Sequence, residues 1–446
     1  MLLSAALAVE APAEAREARR GEAAKAAAAR EGGRGLRAPA QARRPSPVAR
    51  AAPLAAAGSV GLAGATLAAG PGSAASAGSA QAEARLLAIH RLIGEGRMAE
   101  ARAQAERLVR DYPQFQLGHM LLGDLLSAQA GRFGASSVLP SRLNAAQGEA
   151  LLQLRDEARQ RLLALQDRPP AGRLPSAFLA LPATVRHAVA VDASRHRLYL
   201  FERSERGLRL VADHYVSLGK SGVDKRVEGD QRTPVGVYFT TSRLDGKQLA
   251  DLYGTGALTL NYPNEVDRLK GRTGSGIWLH GTPAANYARA PLSTDGCIVL
   301  SNPDMQRLMQ TVAPQGTPVV VAHKLDWVLP EAAERSNRGF GEALRAWWQA
   351  RDLGDASRLA AFYAASASPL AEAPTLRRVS ARTVPDSPQR FQSPKDLSIF
   401  TWRDQLDHAV VTFGDVGRGA RTGVVRRQYW THDGQRWRIV HESLIG

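Results

Sequence analysis

Short β-rich runs separated by glycine and proline fill the chain from about residue 185 to residue 324, and this pattern constrains the fold most. Aliphatic, aromatic and threonine side chains dominate these runs, which include HAVAVDASRHRLYLFE, LRLVADHYVSLG, VGVYFTT, ALTLNY, GIWLHG, CIVLS and TPVVVAH. That composition is typical of strands. One helix is expected among them, in NPDMQRLMQTV, beginning near Asn302 or Asp304. Many short strands with turn residues between them predict a mostly antiparallel sandwich or barrel.

A helical segment precedes these strands. Over residues 81–168, apolar residues recur at spacings of three and four, which is typical of amphipathic helices. The stretch RMAEARAQAERLVRDYPQFQLGHMLLGDLL resembles a tetratricopeptide helix pair, with Ala101 and Pro113 in the register of one repeat and Leu122 and Gly123 in the next. These few repeats are too short to bury the core of a solenoid. We therefore expect a small helical, tetratricopeptide-like domain. The stretch PPAGRLP then ends the helices and is predicted to be a linker.

The last part of the chain, residues 335–446, combines helices and strands. FGEALRAWWQARDLGDASRLAAFYAAS predicts two amphipathic helices around DLGD, and SIFTW, AVVTFGDV, GVVRRQYWTHDG and QRWRIVHE predict strands. Helices followed by an antiparallel sheet predict an α+β domain. This order resembles the nuclear-transport-factor-2-like cone, in which a curved sheet wraps around helices. That fold serves enzymes and binding modules alike, so it assigns no function.

The first 80 residues are mostly Ala, Gly, Arg, Pro and Ser, with too few large apolar side chains to offset the entropy of folding. We expect residues 1–80 to be a disordered leader with an export signal. The signal would have a basic start near Arg43, a weakly apolar stretch over about 51–70, and small residues near Ala75 to Ala82. Export places the chain in the periplasm or cell envelope. The alternatives are a disordered Ala/Gly-rich tail or a start codon placed too early.

The chain is basic, with a net charge of +16, which favours anionic surroundings such as nucleic acid, acidic polymers or a membrane surface. Much of the arginine lies in the low-complexity N-terminus, and no Lys/Arg run with interleaved aromatic residues suits single-strand binding. Anionic envelope polymers explain the charge at least as well. We therefore expect no nucleic-acid partner.

The chain has one cysteine, Cys297, which lies 17 residues after His280. His280 ends the run GIWLH and Cys297 opens the run CIVLS, so adjacent strands would bring the two side chains together. A thiol becomes a useful nucleophile beside a base, and histidine is the usual partner. Gly296 would let a substrate backbone come close. Taken without context, a lone cysteine is more often a small buried apolar residue and a lone histidine a structural one.

Residues 185–324 resemble a known family, the L,D-transpeptidase catalytic domain, also called the YkuD domain. The resemblance runs from AVAVDASRHRLYLFE through EGDQRTPVGVYFTT, LNYPNEVDR and GIWLHGTP to STDGCIVL. Its specific motif is a His followed, at about the distance that separates His280 from Cys297, by Ser or Thr, any residue, Gly and Cys. The resemblance implies a mostly β catalytic sandwich, and Tyr262 is included among its predicted substrate-binding residues.

Residue roles follow from this resemblance. It implies that Cys297 is the nucleophile, that His280 is its base, and that the backbone carbonyl of Gly281 orients the imidazole. The amides of Gly296 and Cys297 are expected to bind the oxyanion. Thr294 stands where the family has Ser or Thr.

Two positions depart from the family pattern. Asp295 fills a place that often carries His, and its charge would disfavour the thiolate unless it points away. Val299 stands where Arg or Asn is common, so the substrate carboxylates need another partner. We expect Arg289 to supply it, with Arg268 and Lys270 as alternatives.

The reaction implied by the family is acyl transfer on peptidoglycan stem peptides. The cysteine would attack the carbonyl at the L-centre of the third residue, usually meso-diaminopimelate, and expel the terminal D-Ala. An amine acceptor then gives a 3-3 cross-link or an anchored lipoprotein, whereas water gives a trimmed tripeptide. We expect a periplasmic L,D-transpeptidase that transfers to an amine. The alternative is an L,D-carboxypeptidase, because the domain order resembles that of the cell-shape L,D-carboxypeptidases of helical bacteria, in which water is the acceptor.

A non-catalytic envelope scaffold is the remaining interpretation, in which the helical and C-terminal domains bind envelope proteins. The presence of both His280 and Cys297 weighs against it. The expected chemistry needs no cofactor or metal, and the histidines in HGTP, VAHK and RRQYWTHDG are isolated rather than clustered at metal-ligand spacing. The expected partners are stem peptides and, through the flanking domains, envelope proteins.

Overall fold

The computed structural model describes residues 78–129, 144–205, 207–365, 394–415 and 423–445. The predicted export signal lies outside the described residues, apart from the small residues from 78 to 82. Within the described residues, no helix combines the length and the apolar composition needed to cross a bilayer.

The N-terminal part is helical. Its helices are α1 (Gly78–Gly94), α2 (Met98–Asp111), α3 (Gln116–Gln129) and α4 (Ala145–Gln166). A shared core forms where their apolar faces meet and includes Leu86, Ile89, Leu108, Phe115 and Leu121. Helix α4 begins at a capping box, in which the Asn144 and Gln147 side chains each accept a hydrogen bond from the other's backbone amide, at 2.9 and 3.1 Å.

The middle part is mostly β. Its strands are β1 (Leu174–Pro175), β2 (Phe178–Ala180), β3 (His187–Asp192), β4 (Arg197–Ser204), β5 (Gly207–Tyr215), β6 (Leu218–Gly219), β7 (Gly236–Asp245), β8 (Gly256–Leu260), β9 (Trp278–His280), β10 (Leu292–Thr294), β11 (Ile298–Val299), β12 (Pro318–Ala322) and β13 (Trp327–Val328). Two helices interrupt them, α5 (Glu265–Leu269) and α6 (Asn302–Thr311).

Eight of these strands form one sheet in the order β11-β9-β8-β7-β12-β3-β4-β5. Neighbouring strands are antiparallel except β12 with β3 and β11 with β9. Both faces of its centre are buried, because Val189 and Val191 of β3 pack in the core that contains α6, whereas Ala188 and Ala190 pack in a second core. Burial of both faces explains why β3 reads as a continuous apolar run.

The C-terminal part places helices against a second sheet. Its helices are α7 (Pro330–Ser336), α8 (Arg338–Asp352) and α9 (Ala356–Ala360), and its strands are β14 (Lys395–Arg403), β15 (Asp407–Asp415), β16 (Val424–His432) and β17 (Trp437–Ile445). The sheet order is β17-β16-β15-β14-β2, and all neighbours are antiparallel. Phe340, Leu344 and Trp347 of α8 pack in the core on this sheet. The predicted order of the structural parts is confirmed. A helical region comes first, a mostly β domain follows, and the C-terminal part is β-rich.

Three short elements differ from the sequence predictions. The stretch expected to be only a linker contains the whole of β1, which pairs with β13, and β2 shortly after it joins the C-terminal sheet. The expectation of a single helix among the central strands was wrong, because α5 is a helix too. Its five residues are too few to show a helical period, and its start depends on a capping box between Asn264 and Asp267.

Phe178 joins the two sheets, and its truncation is the test of that contact. Its ring lies edge-on to Phe201 of β4 at 5.2 Å and to Phe400 of β14 at 5.6 Å. Phe178→Ala is expected to lower the free energy of unfolding by about 3–5 kcal/mol in guanidinium titrations, because it leaves a cavity between the sheets. The exposed Leu406→Ala is the control, with a loss below about 0.5 kcal/mol. Equal effects of the two substitutions would contradict the packing described.

Candidate active site

The pairing of β9 with β11 brings the histidine and the cysteine to one face of the sheet. The two strands are parallel, with Leu279 opposite Ile298 and His280 opposite Val299. Leu279 and Ile298 are buried in the core that contains α6. Because side chains alternate along a strand, His280 projects from the opposite face of β9, and we infer that Cys297, the residue directly before β11, projects from the same face.

His280 is held in one tautomer. Its Nδ1 lies 2.7 Å from the carbonyl oxygen of Gly281, which can only accept a hydrogen bond, so Nδ1 carries the proton and Nε2 is left as an acceptor. The edge of the ring packs against Tyr253, with the ring centroids 5.1 Å apart. Burial lowers the pKa of His280 to about 4, with the Gly281 hydrogen bond opposing this shift and Arg289 adding to it. The imidazole is therefore neutral at neutral pH.

Cys297 is half-buried, and its thiol is protonated at neutral pH. The Sγ donates a hydrogen bond to the carbonyl oxygen of Gly276 at 3.4 Å. Among the described residues, no hydrogen bond joins this Sγ to the imidazole of His280. Burial raises the pKa of the thiol, a backbone hydrogen bond from Trp278 opposes that, and Asp295 raises the pKa further.

The turn before Cys297 determines which amides are free. Gly296 has φ +124°, and a Cβ there would lie 2.6 Å from the carbonyl oxygen of Arg232, so the position requires glycine. The Gly296 amide donates to Thr294 Oγ1 at 3.1 Å, and that hydroxyl donates to the Cys297 carbonyl at 2.7 Å. The Cys297 amide has no partner within the described part of the chain. It is the donor that remains for an oxyanion, whereas the Gly296 amide is already engaged.

Asn302 holds the backbone that orients the histidine. Its Oδ1 accepts from the amides of Thr255 and Thr282 at 3.0 and 3.1 Å, and its Nδ2 donates to the Thr282 carbonyl at 2.8 Å. A Cβ on Gly281 would lie 2.2 Å from the same Oδ1. The sequence predicted Asn302 only as a possible helix start. The one sequence signal of its contacts with the backbone near His280 is its place directly after CIVLS.

Arg289 is half-buried in the loop before β10. Its carbonyl oxygen accepts a hydrogen bond from Tyr215 at 3.0 Å, and its guanidinium donates to the Ser293 carbonyl at 2.5 Å. Burial lowers the pKa of Arg289, while Asp295 and Cys297 oppose that shift. The half-buried guanidinium in turn lowers the pKa of the Cys297 thiol.

Asp295 points towards solvent. Its side chain is 76% exposed, and its Oδ1 accepts hydrogen bonds from Lys220 at 3.0 Å and from Gln231 at 3.3 Å. The ion pair with Lys220 partly offsets its charge, although Asp295 still raises the pKa of the Cys297 thiol.

The remaining predicted residues are engaged elsewhere. Tyr262 is buried, and its hydroxyl donates to the Thr273 carbonyl at 3.1 Å. Arg268 pairs with Glu265 on α5. Lys270 pairs with the carboxylate of Asp404 in the C-terminal part.

Comparison with known protein families identifies the middle part of the chain. The model of the L,D-transpeptidase catalytic domain family, YkuD, matches residues 186–321, so this part of the chain is such a domain. No curated protein matches the sequence significantly.

Three solved structures are similar to this chain to different degrees. Bdellovibrio bacteriovorus Bd1075 is 24% identical, with a TM-score of 0.52 over 61% of this chain and 98% of that one. The helical cell shape determining protein Pgp2 from Campylobacter jejuni is 19% identical, with a TM-score of 0.48 over 60% and 95%. An L,D-transpeptidase from Mycobacterium smegmatis is 18% identical, with a TM-score of 0.19 over 30% and 58%. The likeness to Bd1075 shows a shared fold.

A neutral Cys297 thiol and a neutral His280 imidazole predict a particular pH dependence of thiol alkylation. Because the pKa of Cys297 is raised, alkylation by iodoacetamide is expected to accelerate by about tenfold per pH unit from pH 6 to 8, without a plateau. His280→Gln is expected to leave this profile unchanged, since no imidazolium stabilises the thiolate. A plateau near pH 6 that disappears in His280→Gln would instead reveal a thiolate–imidazolium pair.

Proposed function

We propose that this chain is a cell-envelope cysteine enzyme that removes the terminal D-Ala from peptidoglycan tetrapeptide stems through a thioester on Cys297, with water as the acceptor. The observation that carries the proposal is the His280 tautomer. Its Nδ1 is occupied by the Gly281 carbonyl, which leaves Nε2 to accept the thiol proton on the face that Cys297 shares. The match of residues 186–321 to the L,D-transpeptidase catalytic domain supplies the substrate class.

The first half of the reaction forms the thioester. The thiol turns from Gly276 to His280, and Nε2 takes its proton as Sγ bonds to the carbonyl carbon of the third stem residue. The tetrahedral intermediate then collapses, the bond to D-Ala breaks, and the imidazolium gives its proton to the leaving amine. Nε2 must be unprotonated at the start, which the lowered pKa of His280 ensures at neutral pH.

Two groups act on the substrate's charges. The Cys297 amide is the donor for the developing oxyanion, and one such donor contributes about 10²–10³-fold in rate in other acyl-transfer enzymes. Arg289 takes the place of the missing cation at Val299 and binds a carboxylate of the stem. Its half-buried position strengthens that interaction, because water screens it less.

We take water as the acceptor because the order of domains along the sequence resembles that of the cell-shape L,D-carboxypeptidases. A water molecule attacks the thioester carbonyl and gives a proton to Nε2 of His280. The carbon–sulfur bond then breaks, the tripeptide is released, and the imidazolium returns the proton to the Cys297 thiolate.

Transfer to an amine is the alternative, and product analysis separates the two. The full-length chain is incubated with disaccharide-tetrapeptide, and the products are resolved by mass. We expect tripeptide monomer from the parent and none from Cys297→Ala. His280→Gln is expected to lower kcat by about 10²–10⁴-fold through loss of the base.

The matched control is His323→Gln, because this histidine is 53% exposed on its side chain and pairs with Asp224. It is expected to leave turnover unchanged. Formation of 3-3 cross-linked dimers would show that the acceptor is an amine and not water. Absence of any product from the parent would favour the non-catalytic scaffold.

A further inference from the structure

A buried cluster of charges joins the C-terminal sheet to the segment that leads into the active site. Asp404 lies in the turn between β14 and β15, and its side chain is 2% exposed. Its two carboxylate oxygens lie 2.7 and 2.8 Å from Lys270 Nζ, and one of them lies 2.9 Å from an Arg272 nitrogen. Lys270 and Arg272 follow α5, so this carboxylate connects two parts of the chain that are far apart in sequence.

The C-terminal side of the cluster is firmly held. His408 is fully buried, with Nε2 2.9 Å from Lys270 Nζ and 3.1 Å from Asp404 Oδ1, and with Nδ1 2.8 Å from Thr431 Oγ1. Its ring stacks on Trp402 at 4.9 Å. Burial alone would raise the pKa of Asp404, but hydrogen bonds with His408 and Lys270 hold it well below its ordinary value. The carboxylate is therefore a fixed negative charge.

The catalytic side of the cluster is held as well. Arg272 also donates to the buried Asp267 at 2.8 Å, and Asp267 accepts a hydrogen bond from Tyr238 at 3.1 Å. Asp267 closes the capping box of α5 with Asn264. Arg272 is thus shared by a carboxylate of the catalytic domain and a carboxylate of the C-terminal part.

The segment from Arg272 ends at the nucleophile. The Thr273 amide donates to the Arg226 carbonyl at 3.0 Å, which fixes the strand-like path beyond the cluster. Three residues later, the carbonyl oxygen of Gly276 accepts the hydrogen bond of the Cys297 thiol. Only four peptide bonds separate Arg272 from Gly276, so the cluster lies close along the chain to the carbonyl that contacts the thiol.

We propose that Asp404 is a positioning residue for Cys297, through which the C-terminal part holds the 270–276 segment and its Gly276 carbonyl against the thiol. The effect on turnover rests on the proposed function, whereas the effect on the thiol does not. Without the Asp404 charge, the neighbouring cations Lys270 and Arg272 lose the carboxylate that they share. Their repulsion then moves the 270–276 segment away from the Cys297 thiol. Misplacement by about 1 Å at a reacting centre can cost about a hundredfold in rate.

Asp404→Asn is the test, and Asp407→Asn is its matched control. Asp407 lies three residues further along, is 48% exposed on its side chain, and pairs with Arg403 at 3.4 Å. We expect Asp404→Asn to lower kcat for the tetrapeptide about tenfold or more with a smaller change in KM. At the same time, alkylation of Cys297 by iodoacetamide at pH 7.5 should accelerate at least threefold with a single rate constant, because the thiol is released from Gly276. Asp407→Asn should alter neither quantity.

A double-mutant cycle separates positioning from general loss of stability. Lys270→Met removes one cationic partner of the Asp404 carboxylate and keeps the other, Arg272. It is therefore expected to destabilise the fold less, and it replaces Asp404→Asn if that variant fails to fold. If the two residues act through one contact, their effects on alkylation are non-additive. All rates are taken well below the melting temperature of each variant. Alkylation equal in parent, Asp404→Asn and Lys270→Met would overturn the proposal, and failure of the parent to cleave tetrapeptide would count only against the proposed function.

Discussion

The parallel contact between β9 and β11 is the interaction on which the active site depends. It is only two residue pairs long, yet it fixes the face on which the histidine and the cysteine meet. Leu279 and Ile298 supply the free energy that holds it, because both are buried in the core below the strands. A shift of one residue in this register would turn either His280 or Cys297 into the core. The apolar pattern of WLH and CIV therefore protects the geometry of the polar pair.

The loops around this pair are each held by a different part of the chain. Tyr287, in the loop between the histidine and the cysteine, packs on Phe115 of the helical part with ring centroids 4.6 Å apart. Arg161 of α4 lies over the ring of Tyr215 at 4.0 Å, and the hydroxyl of Tyr215 supports the Arg289 backbone. The C-terminal sheet holds the segment after α5 by the Asp404 cluster. In the proposed mechanism, the flanking parts thus support the loops around Cys297 and His280 without supplying the reacting atoms.

The sequence predicted those features that depend on local pattern. Strand composition predicted the mostly β middle, and the runs GIWLH and CIVLS predicted that the strands next to His280 and Cys297 are neighbours, as β9 and β11 are. Long-range hydrogen bonds gave no such pattern: the sequence did not show that the Gly296 amide is engaged by Thr294, or that Lys270 faces Asp404, 134 residues away. Neither the short strand β2 nor its place in the C-terminal sheet could be predicted, since three residues carry no period.

The central claim is that Cys297 forms a covalent thioester with the stem peptide. Acid quenching within the first turnover, followed by mass spectrometry of the peptide that contains Cys297, tests it most directly. The account predicts an adduct whose mass equals the donor stem without its terminal D-Ala, which disappears on treatment with hydroxylamine. Release of D-Ala without any adduct on Cys297, or release that continues in Cys297→Ala, would contradict it.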